Sequence, residues 1–188
     1  TNAGTYRAEI YNVGDPYDTA DDFTLYVEYT IAKAKLTITA EDNTITYGDA
    51  PAANGVTGNG FVGSDSFTDL SGELTYSYNY EQFGNVGTYK ITPAGLTSDN
   101  YAITFADGTL TVNAKAITVK ADDLSKVYGE ADPKLTYKVE GLVNGDQLTG
   151  ELKRAAGENV GAYAITLGTL ANSNYAITFT GAELTVTK

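Results

Sequence analysis

Apolar and polar residues alternate along most of the chain, which is the pattern of a β-strand with one buried face. The alternation is clearest in residues 36–40 and 117–121, and again in residues 88–92 and 110–112. Thr, Tyr, Val and Ile dominate these runs, as a half-buried pleated surface favours. Clusters of Gly, Asn, Asp and Pro between the runs are turn signals. The pattern therefore predicts an all-β chain of short strands.

Helical periodicity is nearly absent from the sequence. No long stretch keeps the i, i+3, i+4 apolar spacing of an amphipathic helix without a glycine, and at most one short helical turn fits between Ser64 and Leu70. Short strands with frequent turns are typical of small sandwiches. We therefore predict small β-sandwich modules of the immunoglobulin-like kind, with a β-grasp-like sheet as the alternative.

Two segments of the chain carry the same motifs in the same order. Residues 47–49 (Tyr-Gly-Asp) recur as residues 128–130 (Tyr-Gly-Glu), a shift of 81 positions. Residues 100–105 (Asn-Tyr-Ala-Ile-Thr-Phe) recur as residues 174–179, a shift of 74 positions. The chain is therefore a tandem repeat, and the change in shift places the extra residues in the middle of the first copy.

The repeats divide the chain into a first copy at residues 34–113 and a second copy at residues 114–188. Residues 1–33 match only the back half of a copy, so we interpret them as the C-terminal remnant of a preceding module. Residues 113–116, which join the copies, contain no Gly, Ser or Pro run. We therefore expect a semi-rigid junction and an elongated excerpt of a longer repeat array.

Composition restricts the chemistry that the chain can perform. Its 188 residues include 12 Lys and Arg, 24 Asp and Glu, and no His, Cys, Met or Trp, for a net charge of −12. Nucleophilic pairs that use His or Cys, and zinc sites of the usual kind, are thereby excluded. The acidic charge disfavours nucleic acids and anionic membranes, and no apolar run is long enough for membrane insertion. We expect a chain that is not an enzyme, with no nucleic-acid partner.

A row of tyrosines is the candidate ligand-binding feature. Tyr76, Tyr78 and Tyr80 share one face of a predicted strand, and the second copy has no such row. Tyrosine rings can stack on sugars or on the apolar surface of a partner at low entropic cost. The alternative is that the row covers the core or an adjacent module.

Acidic residues near the module junctions are the candidate metal ligands, because calcium prefers carboxylate oxygens. Their spacing matches no EF-hand loop, and solvated charge that maintains solubility is the alternative. The candidates are Glu41, Asp42 and Asp49 in the first copy, Asp122, Asp123 and Glu130 in the second, and Asp15, Asp18, Asp21 and Asp22 in the opening stretch.

One further repeated tyrosine is assigned a structural role. Tyr6, Tyr89 and Tyr163 each follow a glycine by two positions, which resembles the tyrosine of an immunoglobulin-type penultimate strand. We expect these side chains to pack and to tie down a corner of the module.

Taken together, the repeated landmarks resemble the MBG domain of the YGX type, a repeat of large bacterial surface proteins and adhesins. The landmarks are residues 40–42 and 121–123, 47–49 and 128–130, 60–62 and 141–143, 85–89 and 159–163, 100–105 and 174–179, and a closing Leu-Thr-Val strand. The resemblance implies an extracellular position at the bacterial cell surface. It also implies a non-catalytic stalk or adhesive spacer that contacts neighbouring repeats of the same chain. The alternative function is a host glycan-binding or mucin-binding module that uses the tyrosine face.

Overall fold

The computed structural model describes residues 2–12 and 23–188, which form sixteen strands. The opening stretch has β1 Gly4–Asn12 and β2 Phe23–Ile31. The first copy has β3 Ala34–Ala40, β4 Asn43–Thr46, β5 Val56–Asn59, β6 Ser71–Tyr78, β7 Gly87–Thr97, β8 Tyr101–Ala106 and β9 Gly108–Asn113. The second copy has β10 Lys115–Ala121, β11 Leu124–Val127, β12 Tyr137–Glu140, β13 Lys153–Arg154, β14 Gly161–Thr166, β15 Tyr175–Thr180 and β16 Ala182–Thr187.

The two copies have the same sheet topology. In the first copy the strand orders are β5-β3-β8 and β4-β9-β7-β6, and in the second they are β12-β10-β15 and β11-β16-β14-β13. Each copy has two parallel pairs, β3 with β8 and β4 with β9 in the first, and β10 with β15 and β11 with β16 in the second. The predicted all-β fold in tandem modules is confirmed.

The core of the second copy shows how its two sheets pack. Ala121 from β10 contacts Ile165 from β14 and Leu184 from β16, and Phe179 from β15 packs against them. Strands β10 and β15 belong to one sheet, whereas β14 and β16 belong to the other. The two sheets therefore share one apolar core, which is the arrangement of a sandwich rather than of the single sheet that the β-grasp alternative requires.

Successive strands change sheet through very short connections. Only residues 41–42 separate β3 from β4, and only Asp107 separates β8 from β9, yet each pair of strands lies in two different sheets. A Cβ atom on Gly108 would lie 2.5 Å from the carbonyl oxygen of Ala40, so only glycine fits at this crossing. The same change of sheet occurs at Gly181 between β15 and β16.

A carboxylate closes the crossing in both copies. Asp42 Oδ1 accepts a hydrogen bond of 2.7 Å from the backbone amide of Thr109. At the equivalent position Asp123 Oδ1 accepts one of 3.0 Å from the amide of Glu183. These amides lie where the chain leaves one sheet for the other, so the carboxylate satisfies a donor at the bend.

Contacts divide the chain into two compact units that do not follow the repeat boundaries. One unit comprises residues 1–42, 53–77 and 91–109, and the other comprises residues 43–52, 78–90 and 110–188. The second unit thus contains the whole second copy together with three segments of the first copy, at residues 43–52, 78–90 and 110–113. The module boundaries drawn from the sequence stay a prediction.

The opening stretch forms an antiparallel hairpin of β1 and β2. Gly4 lies opposite Ile31 and Tyr6 lies opposite Tyr29, and the two tyrosine rings stack at 5.6 Å between centroids. In the second copy Gly161 lies opposite Val186 in the pair of β14 and β16. The hairpin therefore has the register of the two central strands of a copy.

The short helical turn predicted between residues 64 and 70 is present as a 3₁₀ turn at Phe67–Asp69. Ser66 and Asp69 form a reciprocal capping box around it. Among the described residues, none of the helical segments has the length and apolar character needed to cross a membrane.

We expect Gly108→Ala to destabilise the protein by about 1–3 kcal/mol, because its methyl group would overlap the backbone of β3. Gly87→Ala is the matched control, since its Cβ would meet only the Tyr89 side chain at an ordinary 3.7 Å. Urea unfolding followed by circular dichroism measures both. Equal stability of the two variants would show that the crossing tolerates a side chain.

Candidate functional site

Each corner tyrosine fixes the residue four positions before it. The hydroxyl of Tyr89 donates to the carbonyl oxygen of Asn85 at 2.7 Å. Tyr6 donates to the Asn2 carbonyl at 2.6 Å, and Tyr163 donates to the Asn159 carbonyl at 2.8 Å. The predicted structural role of these tyrosines is confirmed, and its effect is to hold an exposed segment in front of the strand.

An asparagine of the second copy binds the segment that Tyr89 fixes. Asn174 Oδ1 accepts from the amide of Val86 at 3.0 Å, and Asn174 Nδ2 donates to Asn85 Oδ1 at 3.1 Å. We call this pair of hydrogen bonds the clasp. It joins residues 88 and 89 positions apart in the chain, so it ties the first copy to the second.

The same clasp forms a second time, with different partners. Asn100, the equivalent of Asn174, accepts from the amide of Ala3 at 3.0 Å and donates to Asn2 Oδ1 at 3.4 Å. Here the opening stretch takes the place that the first copy has in the other clasp. The Asn-Tyr motif of each copy is therefore a receptor for the segment that precedes a Gly-Thr-Tyr strand.

A carboxylate shared by two tyrosines lies beside the Asn174 clasp. Tyr47 of the first copy and Tyr175 of the second both donate to Asp146 Oδ2, each at 2.7 Å. Their rings meet edge to face with centroids 5.3 Å apart. Tyr47 is only 3% exposed. The clasp and this aromatic contact together form what we call the joint.

The hydrogen bond to Asp146 changes the acidity of the buried phenol. That bond is the largest cause of a pKa of about 12 for Tyr47, and burial and the negative charge of Asp146 also raise this pKa. Tyr47 is therefore a neutral donor throughout the physiological pH range.

The Tyr-Gly turn has the shape that the joint requires. Gly48 has a φ of 98°, which favours glycine, and an added Cβ would lie 3.2 Å from Val143 Cγ2. Gln82 Nε2 donates to the Gly48 carbonyl at 2.8 Å, and Phe83 packs edge to face on Tyr47 at 6.5 Å. Two loops of the first copy thus support one another at the surface that meets the second copy.

The family model of the MBG domain (YGX type) matches residues 36–111 and again residues 117–185. The chain belongs to the MBG domain (YGX type) family. Comparison with curated proteins gave no match. The Tyr-Gly-Asp and Tyr-Gly-Glu turns are thus parts of MBG copies, and the first of them is a central element of the joint.

The predicted metal ligands of the two MBG copies are mostly engaged by the protein itself. Besides Asp42 and Asp123 at the crossings, Asp49 Oδ2 accepts from the Thr46 amide at 3.0 Å. Glu130 Oε2 accepts from the Val127 amide at 3.4 Å, so both acids close the Tyr-Gly turn. Asp122 Oδ2 accepts from the Thr136 hydroxyl at 2.8 Å.

The structure does not gather these acids into a metal centre. Within residues 2–12 and 23–188, no group of three or more acidic side chains is placed to hold an ion. Glu41 is exposed, and its carboxylate lies next to the backbone of Gly55. Asp15, Asp18, Asp21 and Asp22 lie outside the described residues. Calcium binding stays a prediction.

The tyrosine row faces inwards. Tyr76 and Tyr78 of β6 are half-buried, and Tyr80 is only 3% exposed, with its ring 4.9 Å from that of Tyr89. Burial raises the pKa of the Tyr76 phenol, with a smaller contribution from Glu41. The burial favours the packing alternative, while ligand binding by Tyr76, Tyr78 and Tyr80 stays a prediction.

An ion cluster in the second copy takes the place of part of this packing. Lys126 is buried and lies 2.8 Å from Asp132 Oδ1 and 2.7 Å from Glu158 Oε2. Arg154 pairs with the same two acids and lies over the Tyr163 ring, as Tyr80 packs on Tyr89 in the first copy. The pKa of Asp132 is lowered to about 2, mainly by the hydrogen bond from Arg154 and next by the one from Lys126.

Sequence reasoning missed the residues that make the joint. The candidate site residues do not include Asp146, Asn174 or Val86. Each of the three has a counterpart in the other copy: Asp65 for Asp146, Asn100 for Asn174, and Val160 for Val86. Polar residues repeated at fixed positions outside the apolar pattern were the signal that could have found them. Asn is a common turn residue, however, so the repetition alone does not reveal a partner.

We expect Tyr47→Phe to lower the free energy of unfolding by about 1.5–3 kcal/mol near neutral pH, because it removes a hydrogen bond to a charged acceptor. The folded state holds the Tyr47 proton more tightly than the unfolded state, so this contribution is present below pH 10 and is lost as the pH rises to about 12. Urea unfolding from about pH 8 to pH 12 should therefore show the two proteins converging.

Tyr128→Phe is the matched control, because Tyr128 occupies the equivalent position in the second copy and is 59% exposed. Its stability should equal that of the native chain at every pH. A Tyr47→Phe deficit that stayed constant across the range would contradict the role of the shared carboxylate.

Proposed function

We propose that the chain is a non-catalytic segment of a bacterial cell-surface adhesin, in which MBG modules are held in series as an elongated stalk or adhesive spacer. The single observation that carries the proposal is the joint, where Asn174 and Asp146 of the second copy bind Val86 and Tyr47 of the first. A spacer needs fixed contacts between successive modules rather than a cleft for a substrate.

The character of the joint supports a permanent contact. A buried Tyr47, an edge-to-face ring pair and hydrogen bonds to an amide side chain and a carboxylate combine apolar burial with directional bonds. Directional bonds fix an orientation, whereas apolar burial alone would allow sliding. The joint thus supports a chain that transmits position from one module to the next.

Composition supports the non-catalytic part of the proposal. The chain has neither His nor Cys, so the common nucleophile pairs and general bases of that type are excluded. The family of the chain supports an extracellular position, and the net charge of −12 is compatible with a chain that stays soluble outside a cell.

We expect small-angle X-ray scattering of the chain to give a radius of gyration clearly above about 16 Å, the value for one compact domain of this length. The double variant Asn174→Ala, Tyr47→Phe should give a broader distribution of distances, because the joint no longer fixes the second copy. The control is Asn159→Ala with Tyr128→Phe, at the second-copy equivalents of Asn85 and Tyr47, and it should scatter like the native chain. A native radius near 16 Å would contradict the spacer function.

A glycan and mucin array separates the spacer from the glycan-binding module. We expect no binding, because Tyr80 is buried and Tyr76 and Tyr78 are half-buried. If the array gives a signal, Tyr78→Ala tests the tyrosine row, and Tyr128→Ala, which removes an exposed tyrosine outside the row, is its control. Binding by the native chain that only Tyr78→Ala abolishes would overturn the spacer proposal in favour of the ligand-binding function.

A further inference from the structure

The second copy carries on its own surface the same elements that the first copy uses in the joint. Tyr128 is 59% exposed, whereas its equivalent Tyr47 is 3% exposed. Val160 is 52% exposed against 36% for its equivalent Val86. With Asn159, these residues form what we call the open face.

The open face already has the shape of the occupied one. Tyr163 holds the Asn159 carbonyl at 2.8 Å, as Tyr89 holds that of Asn85 at 2.7 Å. Gly129 has a φ of 87°, close to the 98° of Gly48. Glu130 closes the Tyr-Gly turn as Asp49 does in the first copy. The face therefore needs no rearrangement before it binds a partner.

The groups that would make the hydrogen bonds are available. Among the described residues, none forms a hydrogen bond to the Val160 amide or to the Asn159 side chain. Their equivalents in the first copy, the Val86 amide and the Asn85 side chain, are the two groups that the clasp engages. The open face thus presents the donor and the acceptor of an unmade clasp.

We propose that the open face binds a further MBG module, whose Asn-Tyr motif and aspartate would engage Val160, Asn159 and Tyr128 as Asn174, Tyr175 and Asp146 engage the first copy. The inference rests on the proposed spacer function and names its partner. The chemistry of that partner is fixed by the joint, namely an asparagine amide, a tyrosine ring and a carboxylate at one edge of a small sandwich.

The clasp at the opening stretch supports a transferable contact. Asn100 binds Asn2 and Ala3, a segment with Ala where the other clasp has Val86. The receptor therefore accepts different preceding segments as long as the backbone amide and the asparagine are present. Tyr101 there donates to Asp65 Oδ2 at 2.6 Å, which reproduces the bond of Tyr175 to Asp146.

A pocket lies beside Asp65, at the place that corresponds to the position of the Tyr47-Gly48 turn beside Asp146. It is lined by Asn2, Ala3, Ile31, Val62, Asp65 and Tyr101, and Val62 is 59% exposed. In the second copy the equivalent Val143 lies against the Gly48 turn, and Asp146 binds Tyr47. In the joint the second copy thus binds both a clasp segment and a Tyr-Gly turn of the first copy, and the open face has both.

The open face lacks the two side chains that brace the Tyr47 turn in the occupied one. Gln82 and Phe83, which brace the Tyr47 turn, correspond to Ala156 and Gly157. The further joint therefore lacks one amide hydrogen bond and one ring contact. We expect it to form with the same hydrogen bonds at the clasp but with less packing around its tyrosine.

The test extends the full chain by a second copy of residues 115–188, placed directly after Lys188 so that the spacing equals that between the present copies. Amide hydrogen exchange followed by NMR reports each clasp separately. We expect the Val160 amide to exchange about tenfold or more slowly in the extended chain than in the present one. The Val86 amide, already bound by Asn174, is the internal reference and should not change.

Two variants of the extended chain assign the protection to individual clasps. Replacing the added copy's equivalent of Asn174 by Ala should release the Val160 amide alone, and Asn174→Ala should release the Val86 amide alone. An added copy that folds while the Val160 amide exchanges as before, or that stays unfolded at this position, overturns the inference. If the Val160 amide is not protected but the Val86 amide is, the further inference fails while the proposed spacer function stands. If the Val86 amide exchanges freely even in the native chain, both the further inference and the spacer function are contradicted.

Discussion

The carboxylate of Asp146 is the interaction on which the contact between the two copies depends. One of its oxygens accepts hydroxyl hydrogen bonds from Tyr47 and Tyr175, which come from different copies, at 2.7 Å each. Hydrogen bonds to a charged acceptor contribute about 1.5–3 kcal/mol, more than neutral ones, and leaving a buried partner without its acceptor is costly. The two rings also meet edge to face, with their centroids 5.3 Å apart. The clasp then fixes the orientation around this point.

The joint also explains why several motifs of the repeat occur together. The corner tyrosine fixes the segment that carries Asn85, the clasp asparagine binds that segment, and the tyrosine next to this asparagine binds the aspartate. Motifs that lie far apart in the sequence are therefore parts of one contact. A substitution in any of them would disturb its neighbours, because the hydrogen bonds share atoms and short segments.

Elsewhere the same scaffold accepts different chemistry. The first copy covers its corner tyrosine with Tyr80, whereas the second uses Arg154 within a cluster that includes the buried Lys126. The ion cluster satisfies Lys126 with Asp132, Glu158 and a backbone carbonyl, so the charge is not left unpaired. This edge also carries part of the difference in length between the copies, since β6 spans Ser71–Tyr78 and β13 only Lys153–Arg154. Part of this variation lies on the edge strands of the sheet, and part lies in the loop at Gln82 and Phe83 that braces the Tyr47 turn.

The sequence by itself determined the strands, the tandem repeat and the capped turn after Ser66, because alternation, turn residues and self-similarity are local signals. It also indicated a structural role for Tyr89. It did not determine that the tyrosine row faces inwards or that Asp42 closes a crossing, since alternation does not say which face is covered. The pairing of Tyr47 with Asp146 was decided only by the tertiary structure, because it joins residues 99 positions apart. Only folding brings the two copies close enough for one carboxylate to serve both.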